Sequence, residues 1–252
     1  MSKVVERAKK LYDQYTFGEF KYGRKRVKYY TLLKRVLDEL PKGGYIYDIG
    51  CGRGFWFDIY REMSHVDKGQ IVGVDLSPKN ISYIRERGYE GYAQNILELS
   101  LPDSVSDVTI GIGVIHHTED PFKAFTQLVR ITKPSGYLYI AVYNKWHPYY
   151  YIVYKATWPL RLLYWHCHQN WLPDVLVAAS SIIFQPLAKI ILGEWLDKKT
   201  AKTMFMDQVM TPRAALFSKK NLEKYATASH CELIDCRYML HSLMLEAIFR
   251  KK

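Results

Sequence analysis

Apolar side chains recur along this chain at two different periods. Val4, Ala8, Leu11 and Tyr15 are spaced as one face of a helix, and Tyr29, Leu32, Leu33, Val36, Leu37 and Leu40 repeat that spacing further on, so residues 3 to 40 predict one or two amphipathic helices. Pro41-Lys42-Gly43-Gly44 then ends the helical pattern. From Tyr45 the texture changes to short apolar runs, YIYDIG, IVGVDL, VTIGIGV and YLYIAVY. Between them lie stretches of helical character at Phe55 to Met63, Pro78 to Arg87 and Pro121 to Ile131. This alternation predicts βαβ units and a parallel sheet, an α/β fold.

Residues 145 to 217 break the rhythm. They are dense in aromatic and aliphatic side chains, among them Trp158, Tyr164, Trp165, Trp171 and Phe184, and predict a helical insertion. The chain closes with a helical stretch from Asn221 to Ala228 and two strand-like runs, CELIDC and Leu243 to Phe249. The expected organisation is a helical lid over 1–44, a core over 45–144, the aromatic insertion over 145–217, and a closing helix and strands of the core over 218–252.

Length adds little beyond this: 252 residues suit one domain, or one domain with a large insertion. A content of 48% apolar and 24% charged residues excludes a disordered or collagen-like chain. Charge is more informative, because the net +11 is unevenly spread. Residues 1–44 carry 12 basic and 5 acidic side chains, 45–144 carry 9 and 12, and 145–252 carry 15 and 8. A mildly acidic core thus lies between basic flanks, which are either a solvated surface or a face toward something anionic, such as phospholipid, a phosphorylated metabolite or RNA.

Four widely spaced cysteines without a CxxC pair speak against a disulfide scaffold and structural zinc. His166-Cys167-His168 has no second cluster to complete a metal site, so no metal is expected. The charged N-terminus lacks an apolar signal core, and the charge-free stretch Val175 to Ala188 is 14 residues long, short of the ~20 that span a bilayer. A cytoplasmic protein is expected, with a peripheral position at the inner membrane surface as a further expectation.

The most specific local signal is Asp48-Ile49-Gly50-Cys51-Gly52-Arg53-Gly54, directly after the first predicted strand and before a helix. Glycines there let the backbone turn tightly and approach a ligand. Phe55 stands where a dinucleotide GxGxxG loop requires glycine, which disfavours a pyrophosphate. The next strand ends at Asp75, whose carboxylate suits ribose hydroxyls, while Ser77 supplies a cap for the following helix.

DIGCGRG followed by VGVDLSP resembles the class I S-adenosylmethionine-dependent methyltransferases. YAQNILELSLPDSVSDVTIGIGVIHHTEDPFKAF and ITKPSGYLYIAVYN are similar to later motifs of the methyltransferase type 11 group. The resemblance implies a Rossmann-like fold with a seven-stranded, mostly parallel sheet, and S-adenosylmethionine as cofactor, converted to S-adenosylhomocysteine. It implies that Asp48 faces the methionine ammonium, that Gly50, Cys51, Gly52 and Gly54 line methionine and ribose, and that Asp75 holds the ribose with Leu76 against the adenine. Gln94, Asn95 and Ile96 fall where the family meets the adenine, with Asn95 in the place of its acidic residue. Gly113 and Val114 complete this set.

His116 and His117 follow the strand-like run VTIGIGV, at the edge where open α/β sheets bind ligands. Imidazole suits removal of a proton from a phenol, enol or hydroxyl near neutrality, so either is a candidate base; each also fits a structural stacking or capping role. No (N/D)PP(Y/F) stretch follows that strand, which disfavours an amide or exocyclic nitrogen target, and Cys167 and Cys231 come too late for a cysteine nucleophile. Tyr143 and Asn144 end the run YLYIAVY as substrate candidates. Asp207 and Arg213 join them through MDQVMTPRAALFSKKNLEKYATASHCELID, which resembles a type 11 pattern.

The insertion is too apolar to be a solvated loop and must bury against the core, a partner, a greasy substrate or a membrane interface. The expected function is methyl transfer to oxygen or carbon of a small acceptor, lipophilic or anionic, with peripheral membrane contact as a further possibility and nucleic acid disfavoured. The alternatives are an RNA methyltransferase and a non-catalytic, cofactor-binding partner subunit.

Overall fold

The two N-terminal stripes form separate helices, α1 (Lys3–Gln14) and α2 (Thr31–Asp38). The computed structural model describes residues 2–15, 27–166 and 195–252, together with positions 175, 179, 185, 186, 189 and 190. Trp171, Phe184, Cys167 and His168, most of Val175 to Ala188, and the His166 side chain lie outside the described residues.

The alternating region folds as β1 (Ile46–Ile49), α3 (Phe55–Ser64), β2 (Ile71–Asp75), α4 (Pro78–Glu86), β3 (Glu90–Ala93), β4 (Ser106–Ile112), α5 (Pro121–Ile131) and β5 (Thr132–Tyr143). After it come α6 (Trp158–His166), α7 (Lys198–Gln208), α8 (Lys219–Ala228), β6 (Cys231–Met239) and β7 (Met244–Lys251). The seven strands make one sheet in the order β3-β2-β1-β4-β5-β7-β6. Strands β1 to β5 pair in parallel, and β7 runs antiparallel to both β5 and β6. The order reverses direction at β1, leaving a crevice beside its carboxyl end.

Side chains alternate across the strands, so each strand serves two cores. On β5, Tyr139, Ala141 and Tyr143 pack with Leu33 and Val36 of α2, Phe57 and Tyr60 of α3, and Ile84 of α4. Leu138, Ile140 and Val142 pack the other face, with Phe125 and Leu128 of α5 and Leu222 of α8. A third cluster joins Leu11 and Tyr15 near the end of α1 to Phe205, Met206, Val209 and Met210. The first helix therefore seats on the described end of the 145–217 segment.

Helix α2 has no side-chain cap of its own. The buried Glu246 of β7 supplies one: its carboxylate accepts from the Leu32 backbone N–H (3.1 Å) and Thr31 Oγ1 (2.8 Å), and also from Tyr139 Oη (2.8 Å). Burial raises the Glu246 pKa, and the hydrogen bonds oppose that rise. One side chain thus fixes the N-terminal layer to the sheet.

Candidate functional site

The Gly50–Gly54 loop turns through left-handed backbone. Gly50 has φ +80°, and both Gly50 N and Cys51 N donate to the Val74 carbonyl at 2.7 and 3.1 Å, which ties the loop to β2. A Cβ on Gly50 would stand 2.6 Å from Val114 Cβ, so the loop and the chain after β4 meet where only glycine fits. Gly54, at φ +69°, starts α3. Burial pushes the Cys51 thiol well above its usual pKa, which keeps it protonated and unreactive.

Asp75, at the end of β2, is held by two backbone N–H groups and one side-chain amide. Its Oδ2 accepts from Gly52 N (2.9 Å), and its Oδ1 accepts from Ser77 N (2.8 Å) and Asn80 Nδ2 (3.0 Å). A carboxylate offers about four acceptor positions, so the protein fills three and leaves one on Oδ2. Ser77 Oγ caps α4 through Asn80 N and donates to Asp13 of α1, joining the lid helix to this strand end. Asp48 is buried and accepts from Tyr60 Oη at 3.0 Å; burial raises its pKa to about 7. A cation placed beside Asp48 would draw that value down and be held by the resulting charge.

These groups line one cavity of about 330 Å³, at the lower end of the ~300–1,000 Å³ of ligand clefts. Asp48, Gly50, Cys51, Gly52, Asp75, Leu76, Gln94, Asn95, Ile96, Gly113 and Val114 all contribute to one side of it. The Asn95 and Gln94 side-chain carbonyls are already used locally, accepting from Leu97 N and Ser100 N. His117, Tyr143 and Asp207 line the same cavity, whose walls also include Tyr12, Trp56, Tyr149, Tyr150 and Met204.

His117 lines this cavity together with Asp48 and Asp75, the carboxylates beside the glycine loop. Its Nδ1 lies 3.1 Å from the Arg213 carbonyl and 3.2 Å from Thr211 Oγ1; the carbonyl can only accept, so a hydrogen on Nδ1 satisfies it and leaves the lone pair of the neutral ring on Nε2. Nε2 faces Asp207 Oδ1 at 3.6 Å, beyond hydrogen-bond length. Asp207 Oδ2 accepts from Tyr143 Oη at 3.3 Å. Burial raises the Asp207 pKa, while His117 and the Tyr143 hydroxyl pull it back. The pair can take up one proton at Nε2 and balance it with the neighbouring carboxylate.

Four sequence candidates sit elsewhere. His116 is fully buried outside the cavity lining, its ring tilted 37° against the Tyr143 ring at 3.9 Å, and burial drives its pKa well down; both ring nitrogens lack a hydrogen-bond partner. Asn144 is spent on the backbone, donating to the Ser242 carbonyl and accepting from Trp146 N. The Arg213 side chain is exposed, and only its carbonyl reaches His117. Gly54 shapes the loop without lining the cavity. Conversely, Tyr12, Trp56, Tyr149, Tyr150 and Met204 were not among the expected site residues. Tyr12 lies one helical step beyond the α1 stripe Val4-Ala8-Leu11, the one signal that could have placed it. Among the described residues, no group of three or more His, Cys, Asp or Glu is set to hold a metal ion.

Replacing Asp75 with alanine removes the partner of Gly52 N, Ser77 N and Asn80 Nδ2 together. Affinity for an adenosyl ligand should fall by about 1–3 kcal/mol, the range for a lost charged hydrogen bond. Calorimetry with S-adenosylhomocysteine checks this; unchanged affinity would remove Asp75 from the site.

Residues 47–140 match the sequence family described as a methyltransferase domain. A demethylmenaquinone methyltransferase of Bacillus licheniformis is 34% identical over 142 residues, covering 53% of this chain and 58% of the relative. A tRNA (carboxymethyluridine(34)-5-O)-methyltransferase of Macaca fascicularis is 31% identical over 110 residues, covering 42% of this chain and 16% of the relative. The chain thus spans only a small part of that relative's length. Among solved structures, a putative methyltransferase of Haloferax volcanii, in complex with the Trm112 methyltransferase activator, superposes with a TM-score of 0.56 at 12% identity, covering 91% of this chain and 93% of that one. Sheet order, glycine loop and family match agree: residues 47–140 match the methyltransferase domain family of the type 11 group, and the chain has a class I, Rossmann-like methyltransferase fold.

Proposed function

We propose that this chain is an S-adenosylmethionine-dependent methyltransferase acting on oxygen or carbon of a small, lipophilic acceptor, with His117 as the base. The observation that carries the reading is the continuity of one cavity from the glycine loop and Asp75 to the His117–Asp207 pair. The residues present fit the cofactor: a buried carboxylate at Asp48, an unused acceptor position on Asp75, and a Gly50 turn that a Cβ would fill.

When bound, S-adenosylmethionine supplies an electrophilic methyl group on a sulfonium. In this reading Asp48 holds the ammonium, Asp75 accepts a ribose hydroxyl, and Leu76, Gln94, Asn95 and Ile96 border the adenine. His117 Nε2 removes the proton from the acceptor, and Asp207 stabilises the imidazolium that results. Tyr12, Tyr143, Tyr149 and Tyr150 exclude water and give the acceptor an aromatic wall.

A second reading, an RNA methyltransferase, draws on the tRNA-modifying activity in the names of several relatives and on the net charge of +11. Transfer of label from methyl-labelled S-adenosylmethionine into a cell lysate, fractionated into organic-extractable, RNA and aqueous small-molecule pools, separates the readings. Label in the organic pool supports a lipophilic acceptor, and label in RNA replaces it with the second reading. Cofactor binding without transfer to any pool would make the chain a cofactor-binding partner subunit.

A further inference from the structure

Residues 148–166 are helical apart from a turn at Thr157, and their polarity is reversed relative to a water-facing helix. The inward face carries the polar anchors. Arg161 is buried, donates from Nη1 to Thr157 Oγ1 (2.7 Å) and the Val209 carbonyl (3.0 Å), donates from Nη2 to the Tyr154 carbonyl, and lies 3.7 Å over the Tyr154 ring. Trp165 Nε1 donates to the Met210 carbonyl at 2.9 Å, and Tyr150 stacks on Tyr143 at 4.1 Å.

The outward face is apolar. Ile152 is 61% exposed and Trp158 58%, Leu162 and Leu163 are exposed after them, and Trp146 is 68% exposed just before the segment. Within the α-helix Trp158–His166, Pro159, Leu162 and Leu163 form one stripe at 100° per residue with Trp158 at its border, and Ile152 and Ala156 are exposed ahead of it, within and just after a π-helical turn over Tyr150–Tyr154. Lys155 is exposed between Ile152 and Trp158, and the Lys145 ammonium lies over the Trp146 ring at 5.4 Å. The inner anchors hold this face outward, so it does not collapse onto the core.

We propose that this face docks on an anionic membrane surface, with the helix lying in the interface. Tryptophan at the edge of an aliphatic stripe, with lysines alongside, is the chemistry of a headgroup boundary. The net charge of +7 over residues 145–252 and +11 over the whole chain complements anionic lipid. No described helix is long and apolar enough to cross a membrane, so the contact is lateral. Tyr149 and Tyr150, on the same helix, line the cavity, so docking would bring the cavity wall to the lipid from which a lipophilic acceptor is drawn. That purpose rests on the proposed function; the docking itself does not.

The test is sedimentation with vesicles of phosphatidylcholine, with and without phosphatidylglycerol, in the absence of cofactor and acceptor, so that it reads the surface independently of methyl transfer. The full chain should bind the mixed vesicles more tightly than the neutral ones, and its tryptophan fluorescence should be quenched by brominated lipid. The triple variant Ile152→Ser, Trp158→Ser, Leu162→Ser should lose about tenfold or more in partitioning, since three apolar anchors are removed. Its circular dichroism and unfolding midpoint should stay unchanged; if it does not fold, the single variant Trp158→Ser, with the quenching measurement, replaces it. No binding to mixed vesicles overturns the proposal, as does binding that the variants leave intact. A concentration-dependent dimer that the variants abolish, without vesicle binding, would reassign the face to a second copy of the chain.

Discussion

His117→Ala should lower turnover by about 10²–10⁴-fold, the usual contribution of a positioned general base, while leaving the affinity for S-adenosylhomocysteine within error. Two features set the size of the effect. The Arg213 carbonyl fixes the hydrogen on Nδ1, so Nε2 is the free basic nitrogen, and Asp207 stands 3.6 Å away to stabilise its protonated form. Asp207→Asn should therefore also lose turnover, with the ring still held by Arg213. Single-turnover rates against pH make the proton role specific: for a hydroxyl acceptor, the His117→Ala rate should climb as pH rises and the acceptor ionises by itself, and added imidazole should restore part of it. Nearly full, pH-independent turnover in His117→Ala would refute the base assignment. His116→Ala is the contrast, because its ring lies outside the cavity lining; it should act through the packing of Tyr143, seen as a lower unfolding midpoint.

Gly50→Ala should abolish measurable binding of S-adenosylhomocysteine and destabilise the fold. Two costs combine at this position. The left-handed backbone, φ +80°, costs a non-glycine residue about 1–3 kcal/mol. The new Cβ would meet Val114 Cβ at 2.6 Å, so either the glycine loop or the chain after β4 must move. Gly43→Ala separates the two, because Gly43 has φ +77° with nothing within 4 Å of its Cβ position. It should show the backbone cost in thermal unfolding and leave ligand affinity unchanged. Equal losses in the two variants would mean that the Val114 contact contributes nothing.

The organisation of β1, β2, β4 and β5 was legible because a buried parallel strand is a short apolar run, and the crossover helices carry their own periodicity, with Ser77 and Asp120 capping α4 and α5. β3 was not marked as a strand from its pattern: Glu90–Ala93 has one buried residue in four, the signature of a strand at the sheet edge. The glycine loop and Asp75 were legible for a local reason, since a turn and a strand end 21 residues apart are brought together by β1 and β2 pairing in register. The histidine pair was legible only as a pair. Its members diverge because the short helical turn Ile115–His117 sends one ring into the core beside Tyr143 and the other to the cavity.

The sequence by itself determined the α/β architecture, the strand-end loop and its carboxylate, and the family resemblance, because each depends on residues close in the chain or on one strand pairing. Only the tertiary structure decided which candidates share a cavity. Asp207 and His117 are 90 residues apart in sequence and meet because α1 seats on α7 through Leu11, Phe205 and Met206. Tyr12, Tyr149 and Tyr150 reach the same cavity from segments whose sequence shows only apolar stripes. The outward apolar face of residues 148–166 was equally hidden. Periodicity fixes that a helix has two faces, and the buried Arg161 anchor decides which of them turns away from the core.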